Sequence, residues 1–449
     1  MLSVFFNFFA SYRSRFVNSS RHSTARRWAA VVGSVLLVQH PLSAGALRAA
    51  AVKIEITPTE SKMLGGYGPR ASTGVHDPIH HRVLVVSDGA TEWVLVSSEF
   101  CVMSPAQYDE VAARLEREQG VSQVNFWWSL THTHSAPEIG PGGMAEVFLP
   151  ERYEHNVDQV YTDFVADELL GAVKQARQEL RPARLGVEWG HSRANMNRRA
   201  RDIDGTTRLG MNPDGAVDRK IGLLRVDDLQ GQPIALVANY PIHGTVLGGQ
   251  SMEISGDAPG VVSTYVEEKL GVPMLFINGA AGNLAPIYSV YPSPQAGHLS
   301  EFRLLLGDKI LAANDSLRTT INEVRLDVSE VLVETPVKDG LAWSDSLSRY
   351  VGADAHGQQM VRMPIRLLKM GDDLAIWSAP IELFCEVSNE IREMSAYPHT
   401  FYYGYTNGWL GYLLTDEEAE FGGYELRVSP FAPGAADNLK KRVLAELNQ

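Results

Sequence analysis

Two cysteines in 449 residues allow at most one disulfide, so the chain is not a disulfide-built scaffold. It has no His-Glu-x-x-His, which excludes the helical zincin geometry. No internal repeat and no low-complexity linker interrupt the body, and beyond the N-terminus no run of 18 or more apolar residues supplies a membrane span. Positive charge is also short. Lys and Arg number 40 against 53 Asp and Glu, a balance that repels nucleic acid and anionic membrane surfaces.

The first 46 residues differ from the rest. They hold Arg13, Arg15, Arg21, Arg26 and Arg27, no acid, the 11-residue apolar stretch WAAVVGSVLLV, and then SAGA. That is the layout of an export signal: the apolar core is too short to span a bilayer comfortably, and Ala44, Gly45 and Ala46 offer the small residues a signal peptidase needs. Residues 1–46 are therefore read as a leader cleaved near Ala46, with an uncleaved N-terminal membrane anchor as the alternative. Its five arginines removed, the remainder carries 35 basic and 53 acidic residues, a net charge of −18. An exported, periplasmic or secreted location permits a disulfide between Cys101, in the apolar strand WVLVSSEFC, and Cys385, in the helical stretch IELFCEVSNEIR. Two buried free thiols are the plainer expectation.

Residues 47–449 alternate strand-like and helix-like blocks. HRVLVVSDGATEWVLVSS reads as a hairpin with an Asp-Gly turn. SPAQYDEVAARLEREQG reads as an amphipathic helix capped by Ser104 and ended by Gly120. VNFWWSLTHTH is then a strand, and YTDFVADELLGAVKQARQEL a second helix. The same order recurs in PIALVANYPIHGT, SGDAPGVVSTYVEEKLG and VPMLFINGAAGNLAP, followed by a loop from about Ile287 to Gly297. Further strands between 320 and 385 precede a helix from Glu382. This predicts an α/β fold of mixed β-sheets with flanking helices, in a single large catalytic domain.

Ligands in α/β sheets collect beyond the carboxyl ends of strands, and His132, His134 and His243 all fall there. On an extended chain side chains repeat every second residue, so His132 and His134 are expected on one side of the strand end. Two imidazoles on one face can serve one zinc ion, or divide into ligand and supporting roles. His243 would add a third imidazole from a separate strand end; otherwise it is a turn histidine. The Asp-His continuation of a metallo-β-lactamase-like site is missing, and the pair comes too late for the first strand of an amidohydrolase barrel.

Taken in order, THTHSAPE, NYPIHGT, SGDAPG, FINGAAGNLAP, APIELFCE and TNGWLGYLLTDEEAEFGGYE resemble the catalytic domain of the neutral/alkaline, non-lysosomal ceramidases. The likeness runs in patches from about Val52 to Tyr424. It implies a zinc-dependent amidase that cleaves the N-acyl bond of ceramide. It also implies roles residue by residue: His132, His243, Glu382 and Tyr412 as zinc ligands, His134 beside the metal, and Arg198 and Tyr424 in the chemistry. Two imidazoles and a carboxylate leave zinc net positive, which makes hydroxide available near neutral pH. Without the resemblance, Glu382 reads more readily as an acid in the first turn of a helix, and Tyr412 and Tyr424 as packing aromatics.

Three departures from the family pattern matter. The glycine-rich loop reads Gly-Asn-Leu-Ala-Pro, so Ala285 stands where the family has a serine implicated in the chemistry. Backbone N–H groups of Gly279 to Gly282 could still hold an oxyanion. Ser-Ala-Pro-Glu replaces the family's Ser-Gly-Pro-Gly-Gly, which alters the pocket rim. Family members carry a further β-sandwich domain, and with 25 residues after Tyr424 its features are not carried over. The expected function is hydrolysis of an N-acyl bond in a small-molecule or lipid substrate, with Zn²⁺ as cofactor. A zinc-stabilised binding protein without catalysis, motivated by Ala285, is the alternative, and a metal-free α/β protein a third.

Overall fold

The structure, a computed structural model, describes residues 45–290 and 298–449. Residues 1–44, with most of the expected leader, and 291–297, in the expected Ile287–Gly297 loop, lie outside the described residues.

An eight-stranded sheet forms first from the hairpin His80–Ser87 and Glu92–Ser98, closed as expected at Asp88 and Gly89. Asp88 accepts the backbone N–H groups of Ala90 and Thr91 at 2.9 and 2.7 Å, and Gly89 takes φ 88°. The sheet order is Met274–Asn278, Pro233–Tyr240, Lys220–Asp228, Arg181–His191, Arg48–Glu55, His80–Ser87, Glu92–Ser98 and Phe126–Leu130. Its interior pairs are antiparallel and its two outermost pairs parallel. Each parallel pair needs a crossover, supplied by the helices Pro105–Gln119 and Asp257–Leu270. The first begins at Ser104, whose Oγ accepts the Ala106 N–H, and ends at Gly120 with φ 70°.

A second, five-stranded sheet runs Leu326–Pro336, Gln359–Met370, Leu374–Ser378 and His399–Tyr403, with Val351–Ala353 on Gln359–Met370. Side-chain alternation makes a layered sandwich of the two. One face of the large sheet presents Leu84, Val86, Leu95 and Trp127 to Leu368, Ile376, Phe401 and Tyr403 of the smaller one. The opposite face, through Val83, Val85, Val94 and Val96, packs on Val111, Leu115, Val165 and Leu169 of the helices Pro105–Gln119 and Gln159–Gln178. The order helices, sheet, sheet, helices is the predicted mixed-sheet α/β class, and Ala44–Gln449 form one compact unit.

Two expected boundaries move. The strand holding Phe126 stops at Leu130, before both histidines, and the helix after the second sheet begins at Cys385 rather than Glu382. Glu382–Leu383 is instead a short strand captured by parallel pairing with Tyr412–Leu413. Both cysteines are free and buried, and Cys101 lies in a bend beyond its strand, which ends at Ser98. Among the described residues no helix is long and apolar enough to cross a membrane.

Candidate metal centre

His132 and His243 leave the large sheet from strands near its two opposite edges, and the backbone joins them. The Asn278 amide donates to Thr131 O at 3.1 Å and to Ile242 O at 2.7 Å, bridging the two connections. His134 N then donates to Gly244 O at 2.8 Å, and Gly244 N to His132 O at 3.1 Å. The pairing of His132 with His134 does not arise from strand alternation, because His132 has φ 65°. This left-handed turn, disfavoured for a residue with a Cβ, folds the chain so that the two rings meet at 86° with their centroids 4.7 Å apart.

Glu382 comes from the short strand paired with Tyr412–Leu413, just after the Leu374–Ser378 strand of the smaller sheet. Its Oε2 lies 3.3 Å from His132 Nε2 and 3.2 Å from His243 Nε2. Tyr412 OH, on the strand paired with Glu382, is 3.5 Å from His243 Nε2. These spacings match the donor-to-donor distance of about 3.3 Å in a tetrahedral zinc site with ligand bonds near 2.05 Å. The ring orientation fits as well. His132 Nδ1 donates to Cys101 O and His243 Nδ1 to Leu284 O, both at 2.8 Å, which leaves each Nε2 lone pair facing Glu382. His132, His243 and Glu382 are all buried. The residues present therefore fit a small divalent cation.

Their protonation supports the same reading. Burial opposes charge on either ring, yet at His132 the Glu382 carboxylate outweighs it and lifts the pKa to about 10. At His243 burial, reinforced by Arg198 and His132, pushes it down to about 3. Glu382 is held well below the usual carboxylate range, its burial outweighed by the charge on His132. The charge on each of these three groups thus depends on the others, as for donors that would face one cation.

His134 stands beside this trio. Its Nε2 is 3.2 Å from His132 Nε2, and it groups with Cys101 and His132 rather than with Glu382. Burial, then the neighbouring His132 and His243, keep it neutral, and among the described residues its buried Nδ1 has no hydrogen-bond partner. Arg198 lies on the strand Asn195–Arg201, donating from Nη2 to Tyr412 OH and from Nε to Glu425 Oε1, each at 3.0 Å. Tyr424 opens the short helix Tyr424–Arg427, its ring centroid 5.9 Å from that of Tyr412. All seven expected site residues thus converge.

The glycine-rich loop corrects one expectation. Gly279, Ala281 and Gly282 already donate their N–H groups, to Tyr240 O, Gly279 O and Leu383 O, so these three are not free to hold an oxyanion. The loop clamps the carboxylate strand instead: a Cβ on Gly282 would sit 2.8 Å from Glu382 O. Ala285 is buried in the strand Leu284–Pro286, opposite Met196.

Two residues were missed. Trp409 Nε1 donates to Glu382 Oε1 at 2.9 Å, and Tyr405 OH to Glu382 Oε2 at 3.2 Å, with the Tyr405 ring stacked on His132 at 4.3 Å. Trp409 stands in the same NGWLGY stretch as Tyr412, the one signal that could have found it.

Comparison with known proteins gives the same direction. Two Dictyostelium discoideum proteins are similar over about half of the chain. They are neutral ceramidase B, 26% identical over 54% of this chain and 33% of its own length, and neutral ceramidase A, 28% identical over 47% and 30%. The match thus spans about a third of the length of these curated relatives. The crystal structure of neutral ceramidase from Pseudomonas aeruginosa superposes with a TM-score of 0.72 at 20% identity, covering 89% of this chain and 73% of that one, a likeness of fold. The family model described as neutral/alkaline non-lysosomal ceramidase, N-terminal, matches residues 52–278, half of the sequence. With the fold and that match in agreement, this chain belongs to the neutral/alkaline non-lysosomal ceramidase family.

Proposed function

We propose that the protein is a zinc-dependent hydrolase cleaving the N-acyl amide bond of a ceramide-like lipid. The convergence of His132 Nε2, His243 Nε2 and Glu382 Oε2 within 3.2–3.3 Å contacts carries the reading. His132, His243, Glu382 and Tyr412 would hold the ion. When bound, zinc supplies Lewis acidity, polarising an acyl carbonyl and making water nucleophilic near neutral pH.

The chain's own residues have the remaining tasks. Arg198, held cationic because the charges of Tyr412, Glu425 and Glu382 outweigh its burial, steadies the Tyr412 oxygen and negative charge developing near it. Neutral His134, with Nδ1 unpartnered among the described residues, can carry a proton to the departing amine. Tyr424, packed against Tyr412, orients the amide. Export, with cleavage near Ala46, is part of the proposal and rests on the leader. Replacing His243 with Ala should remove both bound zinc and amide turnover; full activity without zinc would exclude the assignment.

A second reading, a zinc-containing protein that binds the lipid without cleaving it, is favoured by one observation. Ala285 offers no hydroxyl where the family has its serine. Zinc content without turnover across amides and esters would decide for it.

A further inference from the structure

Glu425 is fully buried, follows Tyr424 directly and is not among the residues whose donors converge on the cation site. Both of its oxygens are taken by arginines. Oε1 accepts from Arg198 Nε at 3.0 Å and Oε2 from Arg199 Nη1 at 2.7 Å. The two arginines are consecutive, and both are buried. On a regular strand neighbouring side chains point to opposite faces, so one carboxylate would not reach both. The strand Asn195–Arg201 is not regular. Its register against Thr207–Asn212 shifts between Asn197 and Arg199; the Arg199 N–H turns to the Asn197 side chain at 2.9 Å, and the Arg198 N–H goes to Asn283 O in the glycine-rich loop. An irregularity of this kind re-aims a side chain.

The two bonds differ in consequence. Arg199 anchors the carboxylate, because its Nε and Nη2 also donate to Glu418 Oε2, Glu418 O and Gly422 O at 2.8–3.0 Å. Arg198 is held by what remains. Its planar fork is bound at Nε by Glu425 and at Nη2 by Tyr412 OH, and two anchors on a rigid plane set its direction. The chain just beyond Glu425 is tied to the same strand, Tyr412 N donating to Val428 O at 3.1 Å. Among the described residues Arg198 has no other ion pair, whereas Arg199 would keep Glu418 if Glu425 lost its charge. Breaking a buried pair falls on the partner left behind, and here that partner is Arg198.

We propose that Glu425 is a positioning residue, which aims Arg198 at the Tyr412 oxygen and acts on the centre only through that arginine. The part Arg198 plays in turnover rests on the function proposed above.

The test is a double-mutant cycle on the zinc-loaded protein with N-octanoyl sphingosine as substrate: wild type, Glu425→Gln, Arg198→Met and both together. Glu425→Gln should lower kcat about 10–100-fold, the scale of a group displaced by about 1 Å, with KM kept within about threefold. In the Arg198→Met background it should cost no more than about threefold further. A kcat within about threefold of wild type, or the same fold-loss in both backgrounds, as a merely structural role would give, overturns the proposal. The same four proteins are titrated with zinc against a chromogenic chelator, where Glu425→Gln should weaken binding about tenfold and add nothing to Arg198→Met. Zinc affinity decides wherever turnover is too slow to measure. If the wild type hydrolyses nothing, coupled affinities uphold Glu425 and sink the hydrolase reading; unchanged or uncoupled affinities, or no bound zinc, overturn the role of Glu425 as well. Should Glu425→Gln fail to fold, Glu425→Asp, which keeps the charge and shortens the reach, goes through the same cycle.

Discussion

Thr133 and Gly244 run side by side as a parallel bridge, so close that a Cβ on Gly244 would lie 2.6 Å from Thr133 Cα. The two histidine-bearing connections meet because one residue in one of them has no side chain.

Gly244→Ala should therefore part His132 from His243 without touching a ligand. Residues that only orient metal ligands change affinity by about 10–100-fold. The expected result is a loss of zinc affinity in that range with a retained far-ultraviolet spectrum, measured by competition with a chromogenic chelator.

Trp409→Phe removes the 2.9 Å hydrogen bond on Glu382 Oε1 and little else. Zinc should bind about tenfold more weakly, in keeping with an outer-shell contact, whereas Glu382→Ala should abolish binding.

Ala285→Ser restores the family's hydroxyl in a buried strand. If the chain's own residues already suffice for hydrolysis, kcat should stay within about threefold of wild type, a shift too small to count as a recovered catalytic group. Turnover appearing only in this variant would favour the binding reading.

Acid should destabilise the fold through His81 and Glu99, away from the centre. Burial keeps His81 neutral, between Ser98 Oγ and Val165 O, and takes its pKa down to about 4. The unfolded chain takes up a proton near 6.5 that the folded chain refuses, so stability is complete above that pH and falls as pH drops toward 4. Glu99 adds a lower limb: its burial is outweighed by Arg82, 2.7 Å away, which takes its pKa to about 2. That contribution is present above 4.5 and lost as pH falls toward 2. At about 1.4 kcal/mol per unit, His81 accounts for roughly 3 kcal/mol. Urea melts from pH 7 to pH 4 should show the decline, and His81→Gln should flatten it.

Legibility in the sequence followed the range of the forces involved. Local signals were readable: the Asp88–Gly89 turn, the Ser104 cap and the strand ends that carry the histidines. His132 and His134 do converge, but through a left-handed turn that a period of two does not contain. Glu382 looked like the first residue of a helix because its partner, the strand at Tyr412, lies 30 residues further on. Tyr405 and Trp409 meet the site through a carboxylate more than 20 residues away and, for Tyr405, through the His132 ring, so only the NGWLGY stretch that Trp409 shares with Tyr412 pointed to either. The other candidate ligands came from several motifs in fixed order, not from any one of them.

The donors are divided between two sheets: both imidazoles stand beyond strands of the eight-stranded one, and the carboxylate lies in the two-stranded pair Glu382–Leu383 with Tyr412–Leu413. A cation held there would work as a rivet between the large sheet and that strand pair, so chelation and denaturation would draw on one equilibrium. Stripping the ion should lower the melting temperature of the whole body, rather than merely silencing one corner of it.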